Sequence, residues 1–139
     1  MKVCKDELDE LAMKLCPCGS QKRYLDCCGA YLEKKVKAES PLALMRSRYT
    51  AFVEKKFDYI QKTMRPPALL KFNKKSAKKE SVQWLALKVV ATAFDPNDEN
   101  IGFVEFEASY KQEETTQTMH ERSEFHCIDG VWYYVDGEK

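Results

Sequence analysis

Four of the six cysteines in this chain fall in one short run, Cys16-Pro17-Cys18-Gly19-Ser20-Gln21-Lys22-Arg23-Tyr24-Leu25-Asp26-Cys27-Cys28, a C-x-C-x8-C-C pattern. Thiolates are soft donors, and zinc takes four such ligands in a tetrahedron at about 2.3 Å from each sulfur. A C-x-C pair supplies two ligands from one turn, and Gly19 lets the backbone bend away. The excursion that follows is long enough to bring Cys27 and Cys28 back to the same point. With Cys16, Cys18, Cys27 and Cys28 all engaged, no coordination position stays open for water, so the expected site is structural: one zinc ion, bound to hold the fold. Disulfides compete poorly, because adjacent Cys27 and Cys28 would pair under strain. A redox pair is disfavoured because the spacing is not C-x-x-C. Cys127 reads as a small core residue and Cys4 as incidental.

The elements that must position these cysteines follow from the flanking pattern. Asp6 to Leu15 has apolar residues at Leu8, Leu11, Ala12 and Leu15, a helical spacing with acids early and Lys14 late. Beyond the cysteines, Ser40-Pro41 predicts an N-cap followed by proline in the first helical turn. Leu42, Met45, Tyr49, Phe52 and Val53 then form one apolar stripe. Phe57 to Met64 predicts a further short helix, which Pro66-Pro67 must end. After Ser81 the periodicity changes. Val82–Phe94, Ile101–Lys111, Thr116–Ile128 and Val131–Asp136 are rich in β-branched and aromatic residues, with turn signals at Pro96-Asn97-Asp98 and Asp129-Gly130. Val104, Phe106, Ala108 and Tyr110 alternate with Glu105, Glu107 and Lys111, as a half-buried antiparallel strand requires. Helices first and strands later give an α+β domain, helices on one face of a curved antiparallel sheet.

The run CPCGSQKRYLDCC resembles a SEC-C metal-binding motif. Together with LMRSRYTAF (Leu44 to Phe52), Trp84, VEFEASY (Val104 to Tyr110), HERSEF (His120 to Phe125) and VWYYVDG (Val131 to Gly137), the chain resembles the bacterial YchJ family from about Cys16 to Gly137. That resemblance implies a nuclear transport factor 2-like cone at residues 40–139, preceded by a zinc motif within residues 1–32. It implies no particular activity.

Cones of this kind often enclose a pocket between helices and sheet. The candidate pocket residues are Arg46, Arg48, Tyr49, Trp84, His120, Arg122 and Trp132, with Glu121 and Tyr134 beside them. Strand alternation puts His120 and Arg122 on one face and Glu121 on the other, so His120 and Glu121 cannot act as a neighbouring acid–base pair. Arg46 and Arg48 flank the helical stripe, stems on apolar surface and heads in water or near Glu105 and Glu107. No nucleophile–base set is recognisable, and catalysis is not expected.

The net charge of +1 hides an asymmetry. Residues 1–80 carry 19 Lys/Arg against 10 Asp/Glu, +9, and residues 81–139 carry 4 against 12, −8. Lys71, Lys74, Lys75, Lys78 and Lys79 make a basic run, four of them on one face if the segment is a continuous helix, and nucleic acid is a conceivable partner there. More often such a run is a solvated face. No apolar run is long enough for a membrane span and no leader is recognisable, so the expected compartment is the cytoplasm. The expected function is a non-catalytic zinc protein that binds a protein or ribonucleoprotein partner. The competing class is an enzyme or small-ligand binder working in the cone, which a deep polar cavity around Trp84 and His120 would favour, whereas a pocket filled by side chains would favour the adaptor.

Overall fold

The computed structural model describes residues 13–139. Most of the helix expected at Asp6 to Leu15, and Cys4, lie outside the described residues. From Ser81 onward the chain forms four strands in sequence order, all antiparallel: β1 (Val82–Asp95), β2 (Asp98–Gln112), β3 (Thr115–Ile128) and β4 (Val131–Glu138). The first and last of the three hairpins are closed as their turn chemistry dictates. Asp95 Oδ1 accepts from the Asn97 amide at 2.8 Å, and Asp129 and Gly130 both adopt positive φ, 53° and 80°, the conformation of a two-residue primed turn. Register shifts between Trp84 and Ala86 and between Val89 and Ala91 bulge β1, and bulges bend a strand and raise its twist. On β2 the expected alternation holds: Val104 and Ala108 are buried beneath the helices, while Glu105 and Glu107 take the other face.

The helices cover one face of this sheet. A short α1 (Cys28–Leu32) follows the cysteine run, and α2 (Pro41–Val53) is the longest. It starts as the sequence requires, Ser40 Oγ accepting from the Ala43 amide at 3.1 Å with Pro41 in the first turn. Its burial does not follow the single stripe expected. Leu44, Met45, Ser47, Arg48, Tyr49, Thr50 and Ala51 are all buried, nearly the full circumference of the helix, whereas Leu42 and Val53 are half exposed. The cause is that α2 is covered on more than one side. The sheet lies under Leu44 and Met45, the cysteine segment abuts Thr50, and α3 (Phe57–Lys62) packs against Ala51. Two further short helices, α4 (Ala68–Lys71) and α5 (Lys74–Lys79), are separated by extended Phe72 and Asn73, and Asn73 Oδ1 caps α5 at the Ser76 amide, 2.9 Å. The continuous lysine helix therefore does not exist: Lys71 belongs to a different helix from Lys74, Lys75, Lys78 and Lys79. Among the described residues, no helix is long and apolar enough to cross a membrane.

Candidate metal centre and cone cavity

The cysteine segment folds with little regular structure, so its backbone is fixed by particular hydrogen bonds. Cys16 N donates to Lys22 O at 2.9 Å, Tyr24 N to Lys14 O at 2.7 Å, and Cys27 N to Tyr24 O at 3.0 Å. Gly19 turns the C-x-C pair with φ +80°. Gly29 lies so close to Tyr24 that a Cβ there would come within 2.6 Å of the Tyr24 carbonyl. These contacts gather the Sγ atoms of Cys16, Cys18, Cys27 and Cys28 within 4.8 Å of one another, with three of the four residues buried. A tetrahedron of sulfurs around zinc has edges of about 3.8 Å, from the Zn–S length of about 2.3 Å, and Cys18 Sγ lies 3.6 Å from Cys27 Sγ. None of the four is in a disulfide. The set can hold one metal ion.

Among the four sulfurs, hydrogen bonding and burial shift different thiols in opposite senses. The Cys18 thiol is held far below the ordinary thiol range by hydrogen bonds from Cys16 and Cys28. Cys28 is pushed far above that range by its hydrogen bonds to Cys16 and Cys18, and burial raises Cys27. Four thiolates this close repel one another unless a cation sits among them. Around the sulfurs stand hydroxyl and guanidinium donors: Ser20 Oγ is 3.2 Å from Cys27 Sγ, Thr50 Oγ1 3.7 Å from Cys16 Sγ, and Arg46 Nη1 3.8 Å from Cys18 Sγ and 2.8 Å from Cys18 O. Such outer contacts fix ligand orientation.

Between α2 and the inner face of the sheet lies a cavity of about 290 Å³. Its wall is mostly aromatic and thioether, and its polar groups are Arg48, Glu121, Ser123 and the Tyr134 hydroxyl. Glu121 Oε2 accepts from Ser123 Oγ at 2.7 Å and from the Tyr134 hydroxyl at 2.9 Å. Gly137 leaves room for that pair, since a Cβ there would overlap the Glu121 carboxylate and come within 2.5 Å of the Tyr134 hydroxyl. Arg48 is only 7% exposed. Its Nη1 donates to Ile60 O at 2.8 Å and Thr63 Oγ1 at 2.7 Å, and its guanidinium stacks 4.6 Å over the Tyr134 ring. Burial lowers its pKa to about 10, so it stays charged at neutral pH.

Of the residues singled out from sequence, Arg48, Tyr49, Trp84, Glu121 and Tyr134 line this cavity; Arg46, His120, Arg122 and Trp132 do not. Arg46 turns to the cysteine segment instead. His120 projects from the opposite face of the sheet, 2.5 Å from Glu105 and 46% exposed at its side chain, and Arg122 lies over the Phe103 ring on that same outer face. The expectation that His120 and Arg122 share a face holds, but it is the wrong face for the cavity. Trp132 packs with Leu44, Met45, Val104 and Phe125 and meets Phe94 at a tilt, ring centroids 6.2 Å apart. Arg48 is no wet-headed flanking residue, because α3 supplies a carbonyl and a hydroxyl that satisfy it inside. Ser123 and Met119, not singled out from sequence, join Glu121 in the wall, and their signal was their parity with buried Phe125 on β3. Ser20 and Thr50, beside the sulfurs, carry no pattern of their own; Thr50 is one helical turn beyond Arg46.

The chain matches the family described as "YchJ, middle NTF2-like domain" over residues 40–137. It is 38% identical over 130 residues to a UPF0225 protein of Photorhabdus laumondii, spanning 91% of this chain and 81% of that one. It is 38% identical over 125 residues to a UPF0225 protein of Geobacter sulfurreducens, spanning 88% and 78%. Its fold is similar to the solution structure of a SEC-C motif containing protein from Rhodopseudomonas palustris, with TM-score 0.79 and 39% identity over 90% of this chain and 98% of that chain. A crystal structure of a SEC-C motif containing protein from Psychrobacter arcticus gives TM-score 0.75 and 30% identity over 91% and 82%. The helix-covered antiparallel sheet is thus an NTF2-like α+β domain with a cysteine cluster at its N-terminal side, and the chain belongs to the YchJ family.

Proposed function

We propose that this is a cytoplasmic, zinc-stabilised protein that binds a small ligand in its cone. The observation that carries this reading is the open cavity of about 290 Å³, in which Arg48, Glu121, Ser123 and Tyr134 converge on an otherwise aromatic wall. Ligand pockets have this character, largely apolar with a few placed polar groups. Zinc is the metal that an all-thiolate tetrahedron suits, and with four protein ligands it stabilises without activating water. Five free thiols among the described residues fit a reducing compartment. The test is to incubate zinc-loaded protein with a bacterial small-molecule extract, wash, and identify what is released. Ala108→Phe, which projects into the cavity, serves as control. Retention by the parent and not by the filled variant is expected; equal retention, or none, sinks the reading.

A second reading, an adaptor for a protein or ribonucleoprotein, has one observation in its favour. Lys55, Lys78, Lys79 and Lys111 line a single surface hollow, although Glu80 and Glu113 share it. Phosphate contacts there would make RNA affinity fall steeply with salt. Undetectable RNA binding at low salt removes this reading.

A further inference from the structure

The cavity's two charged groups do not satisfy each other. Among the described residues, neither Arg48 nor Glu121 takes part in an ion pair. Each is instead tied to Tyr134, Arg48 over the ring and Glu121 at the hydroxyl. Tyr134 is thus their common neighbour. Arg48 engages acceptors through Nη1 only. Yet no fully buried side-chain nitrogen or oxygen lacks a partner. The remaining guanidinium nitrogens must then open onto accessible space, and the space that Arg48 borders is the cavity. Glu121 likewise receives both its hydrogen bonds at Oε2, leaving Oε1 free. The wall thus offers donors at one point and an acceptor a short span away.

The rest of the wall sets the body of the occupant. Tyr49, Phe52, Trp84, Phe106 and Phe125 surround the space. Tyr49 and Trp84 meet edge-on with centroids 6.0 Å apart, the geometry in which a further ring finds both faces and edges to pack on. Its volume lies at the lower end of ligand pockets, roughly 300 Å³, which suits one or two fused rings. One cation and one carboxylate sum to zero, and burying an unmatched charge among aromatic rings is costly.

We propose that the cone cavity takes a small, planar, net-neutral heteroaromatic ligand that presents a carbonyl acceptor to Arg48 and an adjacent N–H donor to Glu121, the edge of a lactam. The inference rests on the ligand-binding reading above and specifies its chemistry. A C(=O)–N–H edge, with a hydrogen bond at either end, bridges the span that Tyr134 defines. A carboxylate ligand would meet Glu121 with like charge, and an ammonium ligand would meet Arg48.

Four probes of equal ring size test this on the zinc-loaded full chain: carbostyril, its N-methyl derivative, naphthoate and naphthylmethylammonium. Methyl NMR reads occupancy at Met45, Met64 and Met119, all in the cavity wall. Carbostyril is expected to shift these methyls saturably and to bind about tenfold or more tighter than the other three, the worth of one hydrogen bond to a charged group. Glu121→Gln should erase most of that preference with the sheet spectrum intact. Equal binding of all four probes, or preference for either ion, overturns the lactam assignment while leaving a ligand-binding cavity. No shift with any probe overturns both. Because the ranking is measured on the parent protein, a poorly folding variant does not decide the outcome.

Discussion

The cysteine segment and the sheet are held together by different physics. From Cys16 to Cys28 the chain has one short 3-10 turn, at Tyr24–Asp26, and a handful of backbone hydrogen bonds. Its order comes from whatever joins four sulfurs. The sheet has ladders along strands of 14, 15, 14 and 8 residues, and its inner face buries Val104, Ala108, Ser123 and Phe125. One region has the donor set to be held by an ion, the other rests on apolar area removed from water. Yet they share a boundary, because Cys16, Cys18 and Cys28 sit in one buried cluster with Tyr49 and Ala108.

The largest expected effect comes from removing the ion. Chelation, or Cys18→Ser, should abolish the one-per-chain zinc measured by elemental analysis. Amide exchange should then rise across residues 14–33 while β2 and β3 stay protected. Loss of sheet protection would mean that the two regions are one cooperative unit. The reverse experiment attacks the sheet. Phe125→Ala should lower unfolding stability by about 3–5 kcal/mol, the cost of a large buried truncation, and still bind one zinc. Smaller is the effect of Arg46→Ala. It removes the donor to Cys18 Sγ and O, and outer-contact losses at metal sites weaken affinity by roughly 10–100-fold. Competition with a chromogenic chelator measures this, and unchanged zinc affinity would show that Arg46 only packs.

The smallest effect concerns pH. The Tyr24 hydroxyl donates to Glu33 Oε2 at 2.7 Å and holds that carboxyl below its ordinary value of 4.5. The unfolded chain therefore binds the proton first as pH falls. This contribution is present above about pH 4.5 and disappears as pH drops through the folded value. Tyr24→Phe should flatten the acid side of a melting-temperature profile relative to the parent. Parallel profiles would count against the contact.

Much of this was written in local pattern. The four strands, the Asp129-Gly130 turn, the Ser40-Pro41 helix start and the gathered cysteines each depend on near neighbours, which a sequence displays directly. Arg48 was named as a pocket residue, but its burial was not legible, because α2 is enclosed on several sides and a helix buried all round shows no stripe. The cavity face of β3 was hidden by its own polarity. His120, Glu121 and Arg122 were all named although they cannot share a face, and Met119 and Phe125 on Glu121's parity marked which face is the inner one. The lysine run failed for another reason: Asn73 is a better helix cap than a helix interior residue, and it divides the segment.

Helix α2 also gives the cysteine cluster and the cavity a common wall. Arg46 and Thr50 reach the cysteines, while Met45, Arg48, Tyr49 and Phe52, interleaved on the same helix, form one wall of the cone. Whatever binds at one side therefore meets a helix that the other side also holds. If a metal binds at the cysteines and a ligand in the cavity, linkage makes any coupling between them reciprocal: the factor by which the first tightens the second is the factor by which the second tightens the first.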